Sequence, residues 1–62
     1  MIKSQNTLID YAYPMMMAER EMKKAHEALL DGRMDEGLER LTQAAVEVRM
    51  AINAVRHMKG DK

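Results

Sequence analysis

The chain has no cysteine, no tryptophan and no phenylalanine, one proline and three glycines, and its ten basic and ten acidic residues cancel to a formal charge of zero. Each scarcity closes off a class of protein. Without cysteine, neither a disulfide nor a thiolate metal site can staple a 62-residue chain that lies near the lower limit for independent folding. Its stability must come from packing. With Tyr11 and Tyr13 as the aromatics, the apolar stock is Ala, Leu, Val, Ile and eight Met, a composition that favours helix over strand. Zero net charge removes any global field toward nucleic acid or an anionic membrane. The N-terminus, Met-Ile-Lys-Ser-Gln-Asn, has no basic region leading into an apolar run and cleavage site, so no signal peptide is predicted. The most apolar stretch, residues 8 to 18, is interrupted by Asp10 and too short to span a bilayer. These readings predict a cytoplasmic protein without membrane association. The initial Met and the lack of an evident tag predict a complete small reading frame of bacterial or phage origin.

What the chain does have is periodicity. Alternating steps of four and three pick out Met34, Leu38, Leu41, Ala45, Val48, Ile52 and Val55, an apolar seam of heptad type. Ala44, Ala51 and Met58 run along one side of it and widen the stripe, which predicts a helix that touches more than one neighbour. The first half repeats the pattern at Leu8, Tyr11, Met15, Ala18, Met22, Ala25 and Leu29. This register passes Pro14, which lacks the N–H needed to bond the carbonyl of Asp10, so the helix either kinks at Pro14 or begins there.

The expected organisation is a flexible tail over 1–6, helix 1 over about 8–30, a turn over 31–34, helix 2 over about 35–58 and a short tail over 60–62. Ser4 or Thr7 would cap helix 1. Gly32 suits the left-handed position after helix 1, and Asp35 suits the N-cap of helix 2. Asp35 and Glu36 then sit at the positive end of helix 2, and Arg56, His57 and Lys59 at its negative end. Glu19 to Lys23 and Glu36 to Arg40 are four-residue pairs in the favourable orientation. The run Gly32-Arg33-Met34-Asp35-Glu36-Gly37-Leu38, with Leu41 and Ala44 beyond it, resembles the turn and second helix of a tetratricopeptide repeat. It differs in having Gly37 where that repeat prefers Ala, in lacking the first-helix aromatics and the closing Pro, and in being a single unit. The resemblance implies a helix-turn-helix hairpin and no peptide-binding residues.

The fold class predicted is therefore all-α: an antiparallel two-helix hairpin associating as a homodimeric four-helix bundle or a larger helical oligomer, because one hairpin of this size buries too little to offset its ordering entropy. The expected oligomer seam is Leu8, Met22, Leu29, Leu38, Leu41, Ala45, Val48, Ile52 and Val55. The flanks Ile9, Met16, Leu30, Ala44, Ala51 and Met58 are expected to meet between subunits. Tyr11, Tyr13, Met15, Met16 and Met17 are the candidate partner-binding residues: methionine repacks readily, and tyrosine offers area with a polar tip. The competing reading makes these residues oligomer core. Val46 and Met50 form an apolar pair away from the main seam.

Sites for chemistry are few. The one serine, Ser4, falls in the expected flexible tail, and there is no glycine-rich phosphate loop. Glu36 and Glu39 have the Glu-x-x-Glu spacing by which all-α nucleotide pyrophosphatases hold Mg²⁺, yet they fall at the solvent-facing start of helix 2, where acidic surface charge is ordinary. His26 and His57 stand near opposite ends of the hairpin, so only a partner subunit could bring them to one ion. Three consecutive methionines, Met15 to Met17, point in different directions on a helix and do not form a thioether copper site. No metal and no cofactor is expected. Arg20, Lys24, Arg49 and Arg56 would be the nucleic-acid contacts if the protein bound RNA. In length and hairpin architecture the chain resembles the Rop family of plasmid copy-number proteins, a likeness that implies a dimer binding paired RNA loops. The function expected first is a small non-enzymatic helical protein that self-associates and binds another protein as an adaptor or regulator, such as a phage-encoded modulator of a host factor. A Rop-like RNA-binding dimer and an oligomer that sequesters a small anionic ligand between hairpins are the alternatives.

Overall fold

The structure is a computed structural model that describes the backbone of residues 2–60 and the side chains of residues 11–60. It is an all-helical hairpin in which α1 (Ile2–Leu30) packs against α2 (Met34–Met58). The α-carbons fill 46 × 21 × 10 Å, a slab one helix thick.

Helix α1 begins earlier than expected. It is already under way at Ser4 and Thr7, so neither residue caps it, and positions 2–6 of the expected tail are helical. No glycine or proline precedes Pro14, and a helix nucleated further along propagates through such residues without a stop. Met1 and the C-terminal Asp61 and Lys62 lie outside the described residues, as do the side chains of Leu8 and Ile9. Pro14 lies inside α1 rather than at its start, with its ring buried at the contact with α2.

The turn is built from backbone hydrogen bonds. Gly32, at φ +79°, reverses the chain; its N–H donates to the carbonyl of Leu29 at 3.0 Å, and the N–H of Arg33 donates to that of Ala28 at 2.9 Å. These are the two bonds of a Schellman cap, which satisfy carbonyls that the end of a helix leaves open. Helix α2 then starts at Met34, one residue before the expected boundary, with Arg33 and not Asp35 as its N-cap. Arg33 has no side-chain capping bond. Its guanidinium instead bonds Asp31 at 3.1 Å and Glu36, and these partners hold its pKa above the ordinary arginine value. Asp35 and Glu36 occupy the first turn of α2 and Arg56 and His57 the last, where the helix dipole favours them. Gly60, at φ +88°, follows the helix end and donates to the carbonyl of His57.

The contact between the helices is made of small residues. On α1 the buried positions are Pro14, Ala18, Glu21, Ala25 and Ala28, spaced alternately by four and three; on α2 they are Gly37, Ala44 and Ala51, spaced by seven. Half-buried Arg40, Glu47, Ala54 and Met58 complete the α2 register. Gly37 admits the side chain of Leu29: a Cβ there would lie 2.7 Å from Leu29 Cγ. At Glu21 the alanine seam is interrupted, and its carboxylate accepts a hydrogen bond from Arg40 Nη1 at 3.0 Å, joining the two helices. Ala44, Ala51 and Met58, expected to lie between subunits, thus face α1 within one chain. The reason is complementarity: α1 offers a matching run of alanines, and small side chains let two backbones approach closely.

Candidate interaction surface

Burying the alanines turns the large apolar residues outward. Among the described residues no large side chain is fully buried; Ala28 is 0% exposed, whereas Ile52 on the same hairpin is 48% exposed. Helical periodicity explains which way they turn. Met15, Met22 and Leu29 follow Pro14, Glu21 and Ala28 by one residue on α1, and Val48 and Val55 follow Ala44 and Ala51 by four on α2. Each therefore lies just to one side of the buried seam, and the two sets converge on the same face of the slab. Met15, Met22, Val48, Ile52 and Val55 wall a groove of about 460 Å³ whose floor is Ala18 and Ala51. Glu19 on the α1 edge and Arg56 on the α2 edge are its charged members. Leu29 and Leu41 extend the register beyond the groove toward the turn.

The opposite face carries a polar patch. There Glu21, Glu39, Arg40 and Gln43 surround a smaller concavity, Arg40 Nε lies 3.9 Å from Glu36, and Gln43 donates to Glu47 at 3.3 Å. The two broad faces thus differ, since the second mixes these polar groups with Val46 and Met50, which lie seven residues beyond Glu39 and Gln43 and are 47% and 50% exposed.

Of the expected seam residues, Met22, Val48, Ile52 and Val55 line the groove together, Leu29 and Leu41 continue it, and Leu38 and Ala45 lie exposed toward the outer side of α2. Leu8 falls among the side chains outside the described residues. The expected partner-binding cluster is divided by the helix. Met15 belongs to the groove, Tyr11 and Met17 are half-buried, and Tyr13 and Met16 are each 62% exposed outside it. Three consecutive helical residues cannot share a face, so Met15 to Met17 serve different surfaces.

The basic residues are divided as well. Arg20 and Lys24 are exposed on α1, and Arg49 and Arg56, five positions beyond Ala44 and Ala51, lie about 140° round α2 at roughly 100° per residue. Arg56 also reaches the rim of the apolar groove, whereas Arg20 and Lys24 immediately precede buried Glu21 and Ala25 on α1. His26 and His57 are both exposed, and among the described residues no group of three or more His, Cys, Asp or Glu could hold a metal ion. Among the described residues, too, no helix is long and apolar enough to cross a membrane.

Sequence reasoning missed the Glu21–Arg40 bridge. A signal was present: Glu21 continues the four-and-three spacing of Pro14, Ala18, Ala25 and Ala28, a charged residue in a buried register. Glu36, the partner that four-residue spacing predicts for Arg40, is its second partner. No family model matches this chain, and neither any curated protein nor any solved structure does so significantly.

Proposed function

We propose that this protein is a small, non-enzymatic helical interaction module that associates with itself through its apolar face and binds a different protein through the outer surface of α1. One observation supports the reading above the others. The residues that would normally form a hydrophobic core, from Met15 and Met22 to Val48, Ile52 and Val55, are presented at the surface on one face, while alanine dominates the buried positions among the described residues. Apolar area arranged contiguously in this way marks a contact surface. Further apolar surface is left over outside the groove: Tyr13 and Met16 on α1 are each 62% exposed, and Leu30 at its end is 73% exposed. Methionine and tyrosine suit an adaptable protein contact.

The test is site-specific photo-crosslinking of the full chain in the cells that encode it, with the photoreactive side chain at Met16. The expected result is a discrete adduct with a different protein that weakens when Tyr13→Glu is introduced. Adducts with this chain alone would overturn the second half of the reading.

A further inference from the structure

We infer that the apolar groove between α1 and α2 is occupied by the same groove of a second copy of this chain, two hairpins stacking face to face with the Glu21–Arg40 side of each outward. This deepens the functional reading above and rests on it for the self-association that it specifies.

Four features of the molecule favour a second copy over other occupants. The first is length. The apolar stripe extends from Met15 and Val55 at one end to Leu29 and Leu41 near the turn, about 20 Å at roughly 1.5 Å per residue, which suits helices laid along it better than a compact small molecule. Its convergent polar groups are limited to rim charges, whereas small-ligand sites place polar groups to fix orientation.

The second is area. The principal side chains of the face are each 36–48% exposed. At roughly 70 Å² apiece they offer about 500 Å² per copy and about 1,000 Å² for a pair before the rim is counted, the size at which specific interfaces begin.

The third is stoichiometry. Among the described residues the hairpin has no large, fully buried side chain of its own, so covering this face is part of becoming stable and not a later event. A second copy is present whenever the first is, and a two-fold contact requires only that one patch be complementary to itself.

The fourth is charge. The chain is neutral overall, so copies do not repel. The two edges of the groove carry opposite signs, Glu19 on α1 and Arg56 on α2, and acid can therefore lie over base when α1 of one copy crosses α2 of the other.

The experiment is sedimentation equilibrium of the full chain over a wide concentration range, with helicity followed in parallel by circular dichroism. Three proteins are compared: the native chain, Ile52→Ala in the groove and Leu30→Ala outside it. The native chain should sediment at twice its 7.1 kDa mass. Its helicity should fall on dilution together with the dimer. Ile52→Ala should raise the dissociation constant about tenfold or more, since each dimer loses the side chain twice, and Leu30→Ala should leave it within about twofold. Alanine leaves the helix intact, so the comparison does not depend on a variant that fails to fold. A fully helical monomer at every concentration would overturn the inference, as would self-association that ignores Ile52→Ala or responds instead to Leu30→Ala. Either result leaves a heterologous crosslink at Met16 standing, and loss of that crosslink with an intact Ile52-dependent dimer leaves this inference standing.

Discussion

Replacing Gly32 with alanine of either hand isolates what closes the hairpin. Gly32 has φ +79°, and an L-Cβ built on it meets nothing within 4 Å, so any cost of L-alanine is conformational and owes nothing to crowding. Holding an L-residue in the left-handed region costs about 1–2 kcal/mol. Alanine also narrows the unfolded ensemble, which returns about 0.4–1 kcal/mol. The net expectation for Gly32→Ala is a loss of about 1 kcal/mol per chain, or a shift of the urea midpoint by about 0.5–1 M at a slope of ~1–2 kcal/mol/M. D-alanine at the same position adds the same methyl group but adopts positive φ without strain, so only the unfolded-state effect remains and the protein should gain about 0.4–1 kcal/mol. A chain of 62 residues without cysteine is accessible to chemical synthesis, and the three proteins can be unfolded in urea at one chain concentration with helicity as the signal. Shifts in the same direction for the two hands, or no shift for L-alanine, would refute the claim that the positive φ of Gly32 and its Schellman bonds set the turn.

Two further predictions concern the seam. Arg40→Ala should cost about 1–3 kcal/mol because it strands the Glu21 carboxylate, which is only 11% exposed, whereas Glu21→Ala should cost under about 1 kcal/mol, since it extends the alanine run and leaves Arg40 partly in water. Equal losses in urea titrations of the two variants would contradict the burial assigned to Glu21. Gly37→Ala should be near neutral or destabilising in the native chain, where the gain in helix propensity of ~1 kcal/mol is offset by collision with Leu29. In a Leu29→Ala background the same change should stabilise by about 1 kcal/mol; a double-mutant cycle without this coupling would mean that Gly37 and Leu29 do not meet.

The candidate site was legible in part. Met15, Met22, Leu29, Leu41, Val48, Ile52 and Val55 were identifiable as one apolar set because heptad spacing marks residues that share a side of a helix. That Met15, Met16 and Met17 would serve different surfaces followed from the same rule, although residues so close in sequence invite treatment as one cluster. How Arg20 and Lys24 lie relative to Arg49 and Arg56 was not legible, because it depends on how far each helix is rotated about its own axis relative to the other. The Glu21–Arg40 bridge depends on that rotation and also on the axial register, set where the Schellman turn brings α2 back along α1.

By itself the sequence determined the two helices, the glycine that separates them and the presence of two parallel stripes on each helix, one of large apolar residues and one dominated by small residues. Periodicity decides these because backbone geometry converts spacing directly into direction. It does not say which stripe faces the neighbouring helix, since both have heptad spacing and both are apolar enough to bury. Only the tertiary structure decided that. Ala18, Ala25 and Ala28 on α1 matched Gly37, Ala44 and Ala51 on α2, and side chains this small allow close approach with nearly complete burial between just two helices. The larger Met, Val, Ile and Leu side chains converge beside that contact, where two helices cannot cover them and they stand open on the face of the hairpin.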